Sequence, residues 1–205
     1  ASVSEAELAA IMPQFEAAAN LKDPAKIAAN LESKRQAWIE DAALDPLTGR
    51  VLCIGLLQAN KFTVLENQNE AELLKEFWLR HVFPGGKMIG FNTHLFDWPF
   101  VVKRGYKYGI RPPEWIRKGR YWSDDFVDLR ELWQMGDRQA HGSLDSIARH
   151  LGVGQKTGNG KEFGKLWETD KAKAVEYLKN DLSLAQKIAC RMGVDTSNIL
   201  DAEIS

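Results

Sequence analysis

The sequence predicts an α/β domain preceded by a helical arm, and three observations carry that prediction. Val51-Leu52-Cys53-Ile54-Gly55-Leu56-Leu57 is a nearly continuous apolar run, the pattern of a strand covered on both faces. From there to Gly193, segments of helical spacing alternate with short apolar runs. No internal repeat and no strong linker divides the 205 residues. They are therefore read as one domain: residues 1–48 the arm, 49–193 the core and 194–205 a loosely held tail.

In chain order, residues 5–19 read as a short helix interrupted by Pro13. Asp23-Pro24 opens a longer helix, with Asp as the cap, Pro in the first position, and Ile27, Leu31, Trp38 and Ile39 at helical spacing. It ends before the turn Asp45-Pro46-Leu47-Thr48-Gly49. After the run at 51–57, residues 61–66 alternate and suit an antiparallel partner. Asn69 caps a helix reaching about Phe83, where Pro84-Gly85-Gly86 stops it. Residues 87–91 read as a further short strand and 96–108 as a helix. Ser143 caps a helix closed by Gly152. A glycine- and lysine-bearing loop covers 152–161, and the last long helix runs from an Asp170 cap to Gly193.

Two places could carry chemistry. The apolar face of the last helix runs Ala174, Tyr177/Leu178, Asp181, Leu184/Ala185, Ile188, so a carboxylate lies inside the hydrophobic stripe. An unpaired charge there costs several kcal/mol, so such a position holds a cation, an arginine or a metal. Alternatively, Asp181 tilts to the edge of the stripe and is hydrated. Tyr177, one turn earlier, is close enough to share a ligand with it. The second place is Gly90-Phe91-Asn92-Thr93-His94-Leu95-Phe96-Asp97-Trp98-Pro99. It sets Asn92 and Asp97 just past the carboxyl end of a strand, where open α/β sheets bind ligands. Asp97 fits a ligand role among its aromatic neighbours, and equally a helix cap two residues before Pro99.

Taken together, Asn92-x-x-x-Phe96-Asp97 and the later Tyr177-x-x-x-Asp181 resemble the second and third motifs of the DEDDy, DnaQ-like 3′–5′ exonucleases. Lys22-Asp23-Pro24-Ala25-Lys26-Ile27-Ala28, Ala43-Leu44-Asp45-Pro46-Leu47-Thr48-Gly49-Arg50-Val51 and the loop Gly154-Gln155-Lys156-Thr157-Gly158-Asn159-Gly160 extend the resemblance. They point to the subgroup of predicted exonucleases related to family B DNA polymerases. The resemblance implies a ribonuclease H-like mixed sheet flanked by helices. It also implies two divalent cations, Mg²⁺ or Mn²⁺, activating a water and stabilising the leaving 3′ oxygen. Asp97 and Asp181 would be metal ligands, Tyr177 would orient the water, and Asn92 and Phe96 would hold the terminal nucleotide. Lys156 or Lys161 would reach backbone phosphates, although the loop has no Walker pattern and also suits a plain connection.

The family's first motif, Asp-x-Glu on a central first strand, is not evident: the one such triplet, Asp201-Ala202-Glu203, lies in the tail. The expectation is that this motif falls just upstream of Ala1, since loss of a central strand would expose two sheet edges. The implied function is a metal-dependent 3′–5′ exonuclease on single-stranded DNA ends, of repair or proofreading type. The alternative is a catalytically impaired nucleic acid-binding domain of the same fold.

Charge and composition agree with this. Formal net charge is -1, which excludes a histone-like polycation. Between Lys103 and Arg120, however, seven basic residues, Arg104 among them, face one acid and are interleaved with Tyr106, Tyr108 and Trp115. Cations mixed with stacking rings suit a single-stranded track; a solvated helix face with core aromatics fits the same residues. Which of DNA or RNA is bound stays open, and a polymerase or repair complex is the expected protein partner. Asp124, Asp125 and Asp128 read as turn and strand-edge residues, with Asp128 alone near the metals. Cys53 and Cys190 read as reduced core thiols of a cytoplasmic protein. No run approaches the roughly 20 apolar residues of a membrane span.

Overall fold

A computed structural model describes residues 5–58, 60–117, 124–137 and 139–194. Most of the tail, Asp201-Ala202-Glu203, and Lys118 and Arg120 of the basic stretch lie outside the described residues. The chain divides into two compact units, residues 1–50 and 51–205.

In the first unit, α1 (Glu5–Ile11) stops before Pro13. α2 (Pro24–Asp41) starts as expected, with the Asp23 carboxylate accepting the Ala25 N–H. A single turn of 3₁₀ helix, Ala42–Leu44, follows. The unit has its own small core: Leu8 and Ala42 are buried against Trp38, whose ring meets Phe15 edge-on at 6.5 Å.

The second unit begins with a hairpin, β1 (Cys53–Gln58) pairing antiparallel with β2 (Lys61–Glu66). β1 is not covered on both faces. Of its residues Leu56 is buried and the remainder are half-exposed, and among the described residues β2 is its hydrogen-bonded neighbour. α3 (Glu70–Arg80) is capped by Asn69, whose side chain accepts the Ala71 N–H. It ends three residues before Phe83. β3 (Met88–Gly90) pairs in parallel with a strand the sequence did not announce, β4 (Phe126–Asp128), setting Gly90 opposite Asp128. α4 (Asp97–Lys107) joins them, and α5 (Leu129–Gln134) follows β4 directly. The chain closes with α6 (Leu144–His150), a second 3₁₀ turn at Gly160–Glu162, α7 (Phe163–Thr169) and α8 (Lys171–Arg191). Among the described residues the strands form two separate two-stranded sheets rather than one mixed sheet.

Side-chain alternation along β3 assigns its two faces. Met88 packs into a core of Leu73, Leu74, Phe77, Trp78, Trp98 and Phe126 from α3, α4 and β4. Ile89, pointing the other way, packs with Leu129, Ile147, Leu184 and Ile188 from α5, α6 and α8. The β3–β4 pair is thus the middle layer between two helical layers. α8 also reaches β1: a Cβ on Gly55 would stand 2.7 Å from the Leu178 side chain, so only glycine admits this approach. Cys53 is half-buried, and loss of water, reinforced by Glu66, pushes its thiol up to about 12. Cys190 is exposed rather than a core thiol, since it lies on the outer side of α8 from Ile188 and Ala189. No described helix is long and apolar enough to cross a membrane.

Candidate active site

The parallel strands β3 and β4 end level with each other, and their carboxyl ends position the first group of candidate residues. Asp128 is 3% exposed. Its carboxylate accepts the backbone N–H groups of Asn92 (2.8 Å) and Arg130 (2.9 Å) on one oxygen and of His94 (2.9 Å) on the other. These bonds cap α5 and lock the turn after β3. Asn92 adopts a left-handed backbone, φ 61°, which Asn tolerates better than most residues. The Arg130 guanidinium donates to its side-chain oxygen at 2.8 Å. Gly90 is required here, because a Cβ would lie 2.2 Å from Thr93 Cγ2. His94 bridges the same turn to Glu131 (2.8 Å) and to the Phe126 carbonyl (3.1 Å).

Asp97 is the first residue of α4, so it does begin a helix, but Phe96 and not Asp97 occupies the cap position. Asp97 is exposed, yet enough protein surrounds it to strip part of the water from its carboxyl. That loss of water, with the nearby charge of Asp128 adding to it and a bond from its own N–H opposing, pushes its pKa up to about 7. Phe96 is 40% exposed and rests on Phe100 at 5.8 Å between ring centroids.

The second group of candidate residues lies on α8. Asp181 is partnered, which decides between the two sequence readings: Lys156 Nζ stands 2.7 Å from its Oδ2. Its Oδ1 is buried with no hydrogen-bond partner. Tyr177 is 8% exposed, with Lys156 Nζ 5.1 Å from its ring centroid and Phe163 packed at 5.9 Å. Burial opposes the charge on Lys156, but its hydrogen bonds to Asp181 and Tyr177 outweigh this and hold its amine above the ordinary lysine value. The Tyr177 hydroxyl is raised by burial; the Lys156 hydrogen bond pulls it back and the Asp181 charge pushes it further up.

Two sequence expectations change. Lys156 does not stand free on the loop surface; its ammonium lies on Asp181 and against the Tyr177 ring. Arg104 is not a phosphate contact at all. It is 2% exposed and forms a two-pronged ion pair with buried Glu70, Nε to Oε1 at 2.9 Å and Nη2 to Oε2 at 2.6 Å. Its place four residues after buried Phe100 puts it on the inner face of α4. Lys103, Tyr106, Lys107 and Arg111 are exposed, as is Lys161 on the 3₁₀ turn.

Hard oxygen donors of the kind Mg²⁺ and Mn²⁺ prefer are present. Asp181 retains its unpartnered buried oxygen, and Asp97 is an exposed carboxyl whose pKa is raised by the protein crowded around it. Asp128, with both oxygens engaged by backbone N–H groups, serves the architecture. No group of three or more His, Cys, Asp or Glu residues able to hold an ion occurs among the described residues. Asp97 and Asp181 therefore fit a divalent cation in donor chemistry, each as part of a ligand set.

Residues 49–192 match a family model described as a predicted 3′–5′ exonuclease related to the exonuclease domain of PolB. An uncharacterized protein of Methanocaldococcus jannaschii is 31% identical over 158 residues, covering 70% of this chain and 86% of that protein.

Proposed function

Because the chain belongs to the family of predicted 3′–5′ exonucleases related to the exonuclease domain of PolB, we propose that it hydrolyses phosphodiester bonds from the 3′ end of single-stranded DNA, in repair or proofreading. The observation that carries this reading is the convergence of Tyr177, Lys156 and Asp181. Tyr177 and Asp181 stand on one face of α8 and the Lys156 ammonium is laid against both from the neighbouring loop, which brings together a buried hydroxyl, a cation and a carboxylate with one oxygen left unpartnered.

Divalent cations held by Asp97 and Asp181 would supply an activated water and neutralise the leaving oxygen. The remaining work belongs to the chain. Tyr177, whose raised pKa keeps its proton at neutral pH, donates or accepts a hydrogen bond to orient the attacking water. The Lys156 ammonium, 2.7 Å from Asp181, is placed to offset charge developing on the phosphoryl group as water oxygen bonds to phosphorus and the bond to the 3′ oxygen breaks. Phe96, exposed and backed by Phe100, offers a stacking face for the terminal base. Asn92 stands at the same strand ends. Lys161 and the outer face of α4, with Lys103, Tyr106 and Lys107, supply cations and rings along which a single strand can run. The ribonuclease H-like arrangement is part of this reading and is supported by α8 packing on both strand pairs, through Leu178 at Gly55 and through Leu184 and Ile188 at Ile89.

A second reading, a catalytically impaired binding domain of the same fold, draws on Lys156 occupying an oxygen of Asp181 and on no three-ligand group among the described residues. Incubating the full-length protein with a 3′-labelled oligonucleotide and Mn²⁺ separates the two. Stepwise release of the labelled end supports the exonuclease; oligonucleotide binding without shortening supports the impaired domain.

A further inference from the structure

We propose that Asp145 is the positioning residue that sets the register of the 152–160 loop and thereby places Lys156 on Asp181. This rests on the reading of Lys156 and Asp181 as parts of the exonuclease centre, and it concerns how that centre is assembled.

The loop runs along α8 in the opposite direction, touching it at successive turns. A Cβ on Gly154 would meet Leu184 Cδ2 at 2.9 Å. Lys156 meets Asp181. Gly158 lies against the Tyr177 ring, where a Cβ would stand 3.0 Å from Cδ2, and Gly160 lies below the Tyr177 hydroxyl. Gly154, Lys156 and Gly158 meet Leu184, Asp181 and Tyr177 in turn, so over these three positions the loop keeps step with α8. The positions two before and two after Lys156 are both glycine. A slip by one step would therefore bring no side chain at all to Asp181. Glycines make the close approach feasible and leave the register undefined; one polar anchor has to define it.

Asp145 supplies that anchor. Its Oδ1 accepts the backbone N–H of Lys156 at 2.7 Å, and its Oδ2 is held by Arg149 Nε at 2.8 Å, one turn along the same helix. α6 is itself fixed. Ser143 and Ser146 cap it reciprocally, and Ile147 and Ala148 are buried in the same core as Leu184 and Ile188 of α8. Asp145 on α6 and Asp181 on α8 are thus two fixed points, and the loop backbone is hung on the first so that its lysine side chain reaches the second.

The test uses the full-length protein with Asp145→Ala, Asp145→Asn, Lys156→Met and the Asp145→Ala/Lys156→Met double variant. Asn keeps an oxygen that accepts the Lys156 N–H, so Asp145→Asn is expected to behave as the wild type. Asp145→Ala is expected to lower kcat by roughly 10²-fold, the scale for misplacing an active-site group by about 1 Å, with KM little changed. The double variant is expected to be no slower than Lys156→Met alone. The second readout needs no turnover: the side-chain ammonium signal of Lys156 in ¹⁵N NMR, identified by its loss in Lys156→Met. It should persist in Asp145→Asn and disappear or shift in Asp145→Ala. An unchanged signal together with an unchanged kcat in Asp145→Ala overturns the proposal, as does a double variant markedly slower than Lys156→Met. Absence of hydrolysis by the wild type would defeat the exonuclease reading instead, and the NMR comparison would still decide the positioning role. Circular dichroism on each variant guards against simple unfolding, and if Asp145→Ala does not fold, Asp145→Ser, whose shorter side chain cannot reach the Lys156 N–H, takes its place with the same expected losses.

Discussion

Arg104→Met is expected to cost stability and to spare oligonucleotide binding, the reverse of what its place in a basic stretch suggests. Methionine preserves most of the stem volume, so the loss is electrostatic rather than a cavity. Two charge-assisted hydrogen bonds to Glu70 disappear, at 2.9 and 2.6 Å, each worth about 1.5–3 kcal/mol. Glu70, 7% exposed, keeps the Val51 N–H at 2.7 Å and the Tyr108 hydroxyl at 2.7 Å. Those two bonds soften the penalty, which should therefore fall near the about 3–5 kcal/mol seen when one partner of a buried pair is removed. For a chain of this size that is a fall in Tm of roughly 6–20 °C, at 2–4 °C per kcal/mol.

The pH dependence of that loss has a definite sign. Burial raises the Glu70 pKa, but its bonds to Arg104, Val51 and Tyr108 outweigh this and hold it below the usual 4.5. In the wild type Glu70 therefore contributes stability that is present above about pH 4.5 and is lost as pH falls through its lowered value. Without Arg104 the buried carboxylate is a liability at neutral pH and is relieved by protonation, so the gap between wild type and variant should close as pH falls toward 4. Urea titrations at pH 7 and pH 4, with fluorescence anisotropy of a labelled oligonucleotide, read both effects. A loss below about 1 kcal/mol at pH 7, set against the mechanism of a stranded buried charge, would refute the reasoning. So would weakened DNA binding by a fully folded variant.

Asp97→Asn should raise the Tm of the EDTA-treated protein, and by more at pH 8 than at pH 5. A carboxyl raised from 3.8 to about 7 in the folded state lowers stability progressively as pH rises between those values; an equal shift at both pH values would contradict this. Asp181→Ala should destabilise the metal-free chain by about 1 kcal/mol, between exposed and buried pairs, because it leaves Lys156 without its anion. Adding Lys156→Met in the same chain should recover that loss in a urea titration. Gly158→Ala should cut turnover more than it cuts Tm, since the new methyl would press on the Tyr177 ring from 3.0 Å. Equal fractional losses would point to a merely structural contact.

Much of the helical framework was legible because helix starts are written locally. Asp23, Asn69, Ser143 and Asp170 each accept a backbone N–H two or three residues on, and nothing distant is needed to recognise such a cap. Strands were less legible. β4 is three residues long, too short to show a period. Its partner β3 lies 38 residues earlier, so the pairing is a fact of the tertiary fold alone. β1 misled in the other direction: its apolar run suits a doubly covered strand, but hydrophobicity reports what a residue tolerates and not which neighbours reach it. α7 carries no side-chain cap bond and offered no signal.

At the site, residue type was legible and pairing was not. The spacing of Tyr177 and Asp181 placed both on one face of α8, which is where they lie. The same helical arithmetic, applied to Phe100 and Arg104, would have turned Arg104 inward; counting charges along the stretch hid the face each one occupies. Lys156 is conspicuous as a cation among glycines, but its pairing with Asp181 is not written locally, because the two lie 25 residues apart in sequence. Asp145 was not singled out, since an acid in the first turn of a helix is already explained by the helix dipole. A residue with a sufficient local explanation conceals a tertiary one. Asp145, Arg104 and Asp128 are all of this kind, and each forms its decisive hydrogen bonds to partners at least eleven residues away.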